Sequence, residues 1–416
     1  MSNPRPVLIV GYSSMLVAEF DRFLPENGVV VLEEPDPVRK RGARAMTDGA
    51  AVCRELIETE FLLPGGADKF FLEHQDLDPV AVVPGHDYAV PAAARIAERY
   101  GVPGASLGAA EVLRDKHLLR TVAAAAGIGN PASRPVSSAE EVAAFQREVA
   151  GPIIIKPANR QASIGTLAVT DPATIPQAWE QCLDHEEESC LPDRTPELRM
   201  LVEQFVTGDE YSVEMLYSHG DRSFANVTAK VLHPGPRPVE LGHLVPAPVS
   251  PELTALLVSE TERLLAAIGF GTGLVHCEWI VQDGKPYLVE CAGRQPGDFI
   301  LELVQTAYRF DLFRAYADLM SGRRPECPQS AELGAATWHG TATPGEVISV
   351  DGVEDARALP GVQTCDVGVQ VGKTVHPLRS SWDRTAVVTA SGETALAAHA
   401  TAKRAIELIR VETKQV

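Results

Sequence analysis

The sequence predicts an α/β protein with α+β character in its later half, and three observations carry that expectation. Short β-branched apolar runs alternate with helical patterns over residues 7–100. His276 to Arg294 reads as two strands joined at Asp283-Gly284, a strong hairpin signal. The chain has 416 residues, 45% hydrophobic and 22% charged, an ordinary globular composition long enough for two or three domains.

Val7 to Val10 is a strand ending at Gly11, Leu16 to Leu24 has a helical pattern, and Val29 to Leu32 is a second strand. Asp78 to Pro84 is a later strand leading through Gly85-His-Asp-Tyr88 into a helix from Ala89 to Tyr100. This is the start of a doubly wound unit. It lacks GxGxxG, so no dinucleotide site is expected. The helix opening after Gly85 could hold an anion, with His86 and Asp87 as candidate contacts.

Arg114-Asp115-Lys116 lies in a helical stretch running to Ala126, closed by Gly127 and Gly129. Residues 139–149 form a helix capped by Ser137 or Ser138. Gly151 to Pro157 is a buried strand ending in Lys156, and a lysine ending an apolar run is costly unless it meets an anion. The small-residue loop Ala158 to Gly165 follows, then strand Thr166 to Thr170. Such a loop can fold its N–H groups over phosphates, although GxxxxGK[ST] is absent. Leu198 to Phe205 and Asp209 to Tyr217 are strands, and Val227 to Lys230 ends another. Pro234 to Pro251 reads as a proline-rich loop, a candidate mobile segment. Ser250 or Pro251 opens a helix to Ile268.

In the hairpin, loop length decides the faces. A two-residue loop puts Glu278 and Glu290 on opposite faces. A three-residue loop, Gln282 to Gly284, puts them together and is the reading adopted. One face then carries His276, Glu278, Ile280, Leu288 and Glu290. The other carries Val275, Cys277, Trp279, Val281, Tyr287, Val289 and Cys291. Two carboxylates side by side repel unless compensated, and Mg²⁺ suits one or two protein carboxylates plus phosphate oxygens.

Formal net charge is −19, with no basic run, so nucleic acid is not expected as a partner. No apolar run is long enough for a bilayer, and no signal peptide is read at Met1. Seven scattered cysteines without metal spacing fit free thiols in a reducing cytoplasm. Cys277 and Cys291 are expected to be reduced cross-strand neighbours. Residues 331–416 read as an α/β appendage without a catalytic constellation. Its strands lie at 337–340, 345–350 and 386–389, with a helix at 395–409. Trp338 and His339 are read as core.

The ordered set of Lys116, Lys156, the small-residue loop, Glu203-Gln-Phe-Val206, Glu278 and Glu290-Cys-Ala-Gly-Arg294 resembles the ATP-grasp superfamily over residues 80–300. The tail resembles the L-amino acid ligase branch, which joins amino acids into dipeptides. The resemblance implies an N-terminal pre-ATP-grasp α/β domain (1–107) and a two-lobed nucleotide-binding domain (108–325, lid about 125–205). A C-terminal α/β domain (326–416) completes it. It implies ATP with Mg²⁺, or Mn²⁺ in its place. Lys116 and Lys156 would contact the phosphates, and Ser163, Ile164 and Gly165 would close over them. Glu203, Gln204, Phe205 and Val206 would meet the adenine, chiefly through the backbone of Glu203 and Val206, and Glu210 the ribose. Glu278 and Glu290 would bind metal, and Arg294 would stabilise an acyl phosphate.

The implied activity is a carboxylate–amine ligase acting on small acids and amines, amino acids first among them, with a homodimer allowed. A carboxylase or purine-type enzyme of the same fold, or a non-catalytic nucleotide binder, are the alternatives. Two departures stand out. Ala292 replaces an Asn common in the family, and Asp298 stands where glycine is common, which points to an unusual acceptor pocket.

Overall fold

The computed structural model describes residues 4–184, 189, 191–194 and 197–414. β1 (Val7–Val10), β2 (Val29–Glu33), β3 (Cys53–Glu58) and β4 (Ala81–Pro84) form a parallel sheet in the order β3-β2-β1-β4. Their side chains alternate between two cores. Val7, Ile9, Val29 and Val31 pack with Leu16 and Phe20, while Leu8, Val10, Val30 and Leu32 pack with Phe61, Phe70 and Ile96. The first core also takes in Leu216, Leu274, Phe313 and Tyr316. The N-terminal sheet is therefore fixed against the central sheet by shared apolar burial.

The chain leaves β1 towards β2 on one side and returns as β4 on the other. The carboxyl ends of β1 and β4 thus flank the topological switch point, where open α/β sheets bind ligands. The two loops there touch. Gly85 N–H donates to Val10 O at 2.7 Å, and a Cβ on Gly85 would stand 1.8 Å from Gly11 O. Only glycine permits that approach.

β5 (Ser133–Val136), β6 (Ile153–Pro157), β7 (Leu167–Val169) and β8 (Met200–Gln204) form an antiparallel sheet in the order β5-β8-β6-β7. Helices Ala139–Val149 and Ile175–Leu183 cover it through Val142, Phe145, Ala178 and Trp179. Ser138 caps the first of these helices.

The remaining strands are β9 (Asp209–Ser218), β10 (Asp221–Leu232), β11 (Glu240–Val245), β12 (Thr272–Gln282), β13 (Lys285–Ala292), β14 (Gly334–Gly340), β15 (Gly345–Asp351), β16 (Val362–Val367), β17 (Thr374–Val375), β18 (Ala386–Gly392) and β19 (Arg410–Lys414). Eight of them make one sheet in the order β13-β12-β9-β10-β11-β14-β18-β16, and β17-β15-β19 make a small one. Among the described residues, no helix is long and apolar enough to cross a membrane.

Four expectations need correction. The hairpin loop has two residues, since Gln282 pairs with Lys285 and both Asp283 (φ 51°) and Gly284 (φ 74°) are left-handed. A bulge at Val289 restores the pairing that this loop would have broken: Trp279 opposes Leu288, yet Glu278 opposes Glu290. Leu288 is consequently a core residue beside Trp279, and Tyr287 and Val289 leave the core face.

The helical stretch through Arg114-Asp115-Lys116 is broken at Asp115, between the helices Leu107–Arg114 and Lys116–Ala125. Asp115 breaks it because its carboxylate caps the N–H groups of His117 (2.8 Å) and Leu118 (3.2 Å).

Pro234 to Pro251 is not simply a loop, since it contains β11, paired with β10 and β14. The prolines flank that strand and remove no ladder donors. Finally, the tail is not an appendage, because β14, β18 and β16 extend the central sheet through the β11–β14 seam.

At that seam His243 and His339 are buried, with ring centroids 6.4 Å apart. Burial pushes His243 down to about 4 and His339 down to about 3, against an ordinary value of 6.5. Arg384 reinforces the fall at His339, and Asp298 opposes it at both. The folded values lie below the unfolded one, so the unfolded chain takes up protons that the native state refuses. Stability is therefore expected to be level above about pH 6.5 and to fall as pH drops towards about 4, by roughly 3 kcal/mol from His243 alone. Urea midpoints measured against pH should show that slope flattened in a His243→Gln, His339→Gln double variant.

Candidate active site

Three connected spaces run between the sheets. An apolar sleeve of about 320 Å³ is walled by Ile154, Phe205, Val206, Ile280, Tyr287 and Val289. It narrows to a charged waist of about 70 Å³ lined by Lys116, Lys156, Ser163, Glu210, Glu278 and Glu290. The waist opens into a polar chamber of about 470 Å³. Lys156 and Glu210 border both sleeve and waist, while Ser163, Glu278 and Glu290 border both waist and chamber.

Lys116 opens its helix at the Asp115 break, and its N–H donates to Ala158 O at 2.9 Å. Its Nζ donates to Arg160 O at 2.8 Å and lies 3.1 Å from Glu290 Oε2. Lys156 at the end of β6 is 2.8 Å from Glu203 Oε2. Arg120, one turn beyond Lys116, holds the same carboxylate through bonds of 2.8 and 3.1 Å and donates to the bulge carbonyl of Val289 at 2.7 Å. Burial opposes ionisation of Glu203, but Arg120 and Lys156 outweigh it and hold its carboxyl at about 2. Glu203 thus spends its side chain on organising two cations. Phe205 N–H is bonded to Pro152 O at 3.0 Å.

Glu278 and Glu290 face each other across β12 and β13. Lys230, near the end of β10, is hydrogen-bonded to Glu278 and lies 3.2 Å from Glu210 and 3.3 Å from Glu240. His276 bridges Glu214 at 2.9 Å and Glu278 at 3.1 Å. Burial opposes the charged form of both Glu278 and His276. Lys230 and His276 nevertheless hold Glu278 well below the carboxylate range, and the two glutamates lift His276 to about 9. Glu210 moves the other way, to about 7, because burial outweighs Lys230 and two further carboxylates share that ammonium. Oxygens of Glu210, Glu240 and Glu278 lie within 4.8 Å of one another, an all-oxygen donor set of the type hard divalent cations use. Lys230 sits among these three, while Glu290, across from Glu278, has Lys116 as its cation.

Arg294 lies just past β13. It donates to Gln295 O at 2.6 Å and to Asp87 Oδ2 at 2.5 Å, while its buried Nε has no partner among the described residues. Asp87 therefore orients Arg294 and is not a free substrate contact. Ser163 (φ 56°) and its neighbour Ala162 (φ 56°) are left-handed non-glycine residues, and such strain concentrates at working loops. Gly165 does not line these spaces; it packs on Pro157 and Cys182 O. Cys277 and Cys291 are paired neighbours with free thiols.

Sequence reasoning missed Arg120, Lys230, Glu240 and Arg384. Arg120 stands four residues after Lys116 on one helix face, and Lys230 ends an apolar strand as Lys156 does, so both carried a readable signal. Glu240 lay in a stretch read as loop. Arg384 donates twice to Asp298, once at 2.8 Å, and bonds to Glu240 O at 3.0 Å, and no local pattern announces that.

Glu203→Gln leaves Arg120 and Lys156 buried with little compensation. Denaturant unfolding should show a loss of about 3–5 kcal/mol, several times that of Glu148→Gln on the surface.

Residues 149–302 match the ATP-grasp domain, and residues 339–414 match the L-amino acid ligase C-terminal domain 2. The chain is 27% identical over 316 residues to an uncharacterised protein, y4rH, of Sinorhizobium fredii (strain NBRC 101917 / NGR234), covering 76% of this chain and 64% of that one. It is 23% identical over 254 residues to the alanine–anticapsin ligase of Bacillus subtilis (strain 168), covering 58% and 53%. The chain thus spans between half and two thirds of the length of these relatives. Among solved structures, an L-amino acid ligase from Bacillus licheniformis superposes with a TM-score of 0.77 at 16% identity over 100% of both chains. A phosphoribosylglycinamide synthetase from Anaerococcus prevotii superposes at 0.71, 15% identity, over 98% and 99%. By these two matches residues 149–302 belong to the ATP-grasp domain family and residues 339–414 to the L-amino acid ligase C-terminal domain 2 family, in that order along one chain.

Proposed function

We propose that this protein is an ATP-dependent carboxylate–amine ligase that works through an acyl phosphate and releases ADP and phosphate, with amino acids as its substrate class. The observation that carries the reading is the cross-strand Glu278–Glu290 pair, with Lys116 3.1 Å from Glu290, set at the waist between an apolar sleeve and a polar chamber.

Each space has a task in this reading. The sleeve suits a planar base, with Val206 offering its backbone and Glu210 the ribose contact. Lys116 and Lys156 receive the phosphates, and the loop with Ser163 and Ile164 covers them. Gly165 shapes that loop. Glu278 and Glu290 would hold Mg²⁺, which supplies charge neutralisation on the nucleotide. Ala292 contributes no amide to that set.

The chemistry needs positioning more than bond-making by the protein. A substrate carboxylate oxygen bonds to the γ-phosphorus of ATP as ADP leaves. An amine then attacks the acyl carbon, and inorganic phosphate departs. Arg294, held by Asp87, presents its guanidinium where the oxyanion of that second step forms. The reading divides the chain near residues 107 and 325, into a wall of the chamber, the nucleotide clamp and a part that completes the chamber with Arg384.

A carboxylase or purine-type ligase is the second reading, favoured by the likeness to phosphoribosylglycinamide synthetase. Incubation with ATP, Mg²⁺ and amino acid pools should yield ADP, phosphate and a condensed mass. AMP with pyrophosphate would overturn the mechanism, and ADP release that needs bicarbonate but no amine would favour the second reading. Arg294→Met should lower kcat by about a hundredfold or more.

A further inference from the structure

We propose that the N-terminal wall of the chamber is a subsite for a carboxylate on the substrate other than the one being activated. The inference rests on the ligase reading and adds to it where the remaining charge of the substrate goes. The chamber's walls differ in sign. The central sheet and its exit contribute Glu240, Glu278, Glu290 and Asp298, whereas the N-terminal wall, from Tyr12 to Met15 with Arg41, Gly85 and His86, contributes no carboxylate.

The chamber's other lysine and arginine side chains are each ion-paired with a carboxylate. Lys230 serves Glu278, Glu210 and Glu240; Arg294 serves Asp87; Arg384 serves Asp298. Arg41 is different. It donates to Tyr12 O at 2.8 Å, stacks 4.9 Å from the Tyr12 ring, and comes no nearer than 3.9 Å to Glu33. Glu33 itself is consumed below the surface, accepting the N–H groups of Tyr12 and Glu34 at 2.7 Å each.

Beside Arg41 the Ser14–Asp21 helix begins. Ser13 caps it and its own first turn holds no acidic residue, so the positive end of the helix dipole lies at Ser14 and Met15, which line the chamber. A second observation is independent of the helix. The His86 side chain is 10% exposed and lines the chamber, and neither ring nitrogen makes a hydrogen bond, with Nε2 3.4 Å from Glu33. The place is also the β1–β4 switch point. A guanidinium with spare donors, a helix N-terminus and an unsatisfied imidazole together recognise an anion.

Two sources carry that chemistry: the α-carboxylate of an amino acid acceptor, or a second carboxylate on the acid that is activated. ADP release is measured for matched pairs in both arms. The acceptors are L-alanine and L-alaninamide, and the donors are L-glutamate and L-glutamine, each with the partner pool that supports turnover. In one arm the charged member should have at least tenfold higher kcat/KM, and that arm names the source. Arg41→Met should cut the ratio at least tenfold, and Arg41→Lys should recover part of it. Ser14→Asp favours the helix N-terminus and adds a repelling charge, so it should cut the ratio in a protein that folds. Ratios that these variants leave unchanged while ADP is still released would overturn the subsite alone. No ADP from any pair would overturn the ligase reading itself.

Discussion

The structure depends on keeping two opposed carboxylates, Glu278 and Glu290, on one face of a half-buried sheet. Burial and mutual repulsion both work against that arrangement. The protein answers with cations from three directions: Lys230 from β10, His276 from β12 itself, and Lys116 from a helix start. His276 is in turn held by Glu214, which also accepts from Ser212, Asn226 and Thr228. A buried polar network of this kind is stable only when its members are satisfied, and it fixes each of them in place.

The same constraint explains the hairpin. A type I′ turn at Asp283-Gly284 matches the twist of the strands, but by itself it would send Glu290 into the core. The extra residue at Val289 reverses the alternation for the rest of β13. Arg120 then binds the bulge carbonyl and Glu203 together, and Glu203 binds Lys156. One guanidinium therefore ties the hairpin to the β5–β8 sheet beside the sleeve, and the spacing between carboxylates and amines is set by hydrogen bonds, not by chain length.

The tail matters to the chamber for a related reason. Because β14 continues the central sheet, Arg384 can reach Asp298 and the backbone of Glu240. Asp298 (φ 58°) and Phe299 (φ 62°) are consecutive left-handed non-glycine residues, a costly conformation that the bidentate ion pair helps to hold. The C-terminal part of the chain thus completes the chamber, whose other charged groups lie earlier in the sequence.

The sequence by itself determined the local elements and the residue types at the site. Strands β1, β2, β6, β9 and the hairpin are apolar or alternating runs bounded by glycine, proline or aspartate, and such periodicity is local. Lys116, Lys156, Glu278, Glu290 and Arg294 were legible because their order along the chain is itself a pattern. Tertiary structure alone decided the register, since a bulge at Val289 is paid for by contacts with Arg120 that no window of sequence contains. It also decided that Asp115 splits a helix, that a strand hides between prolines, and that Asp87, Glu240 and Arg384 meet residues far away in the chain. Periodicity reports which way a side chain points from its own element; which charge it meets depends on the packing of elements that are distant in sequence.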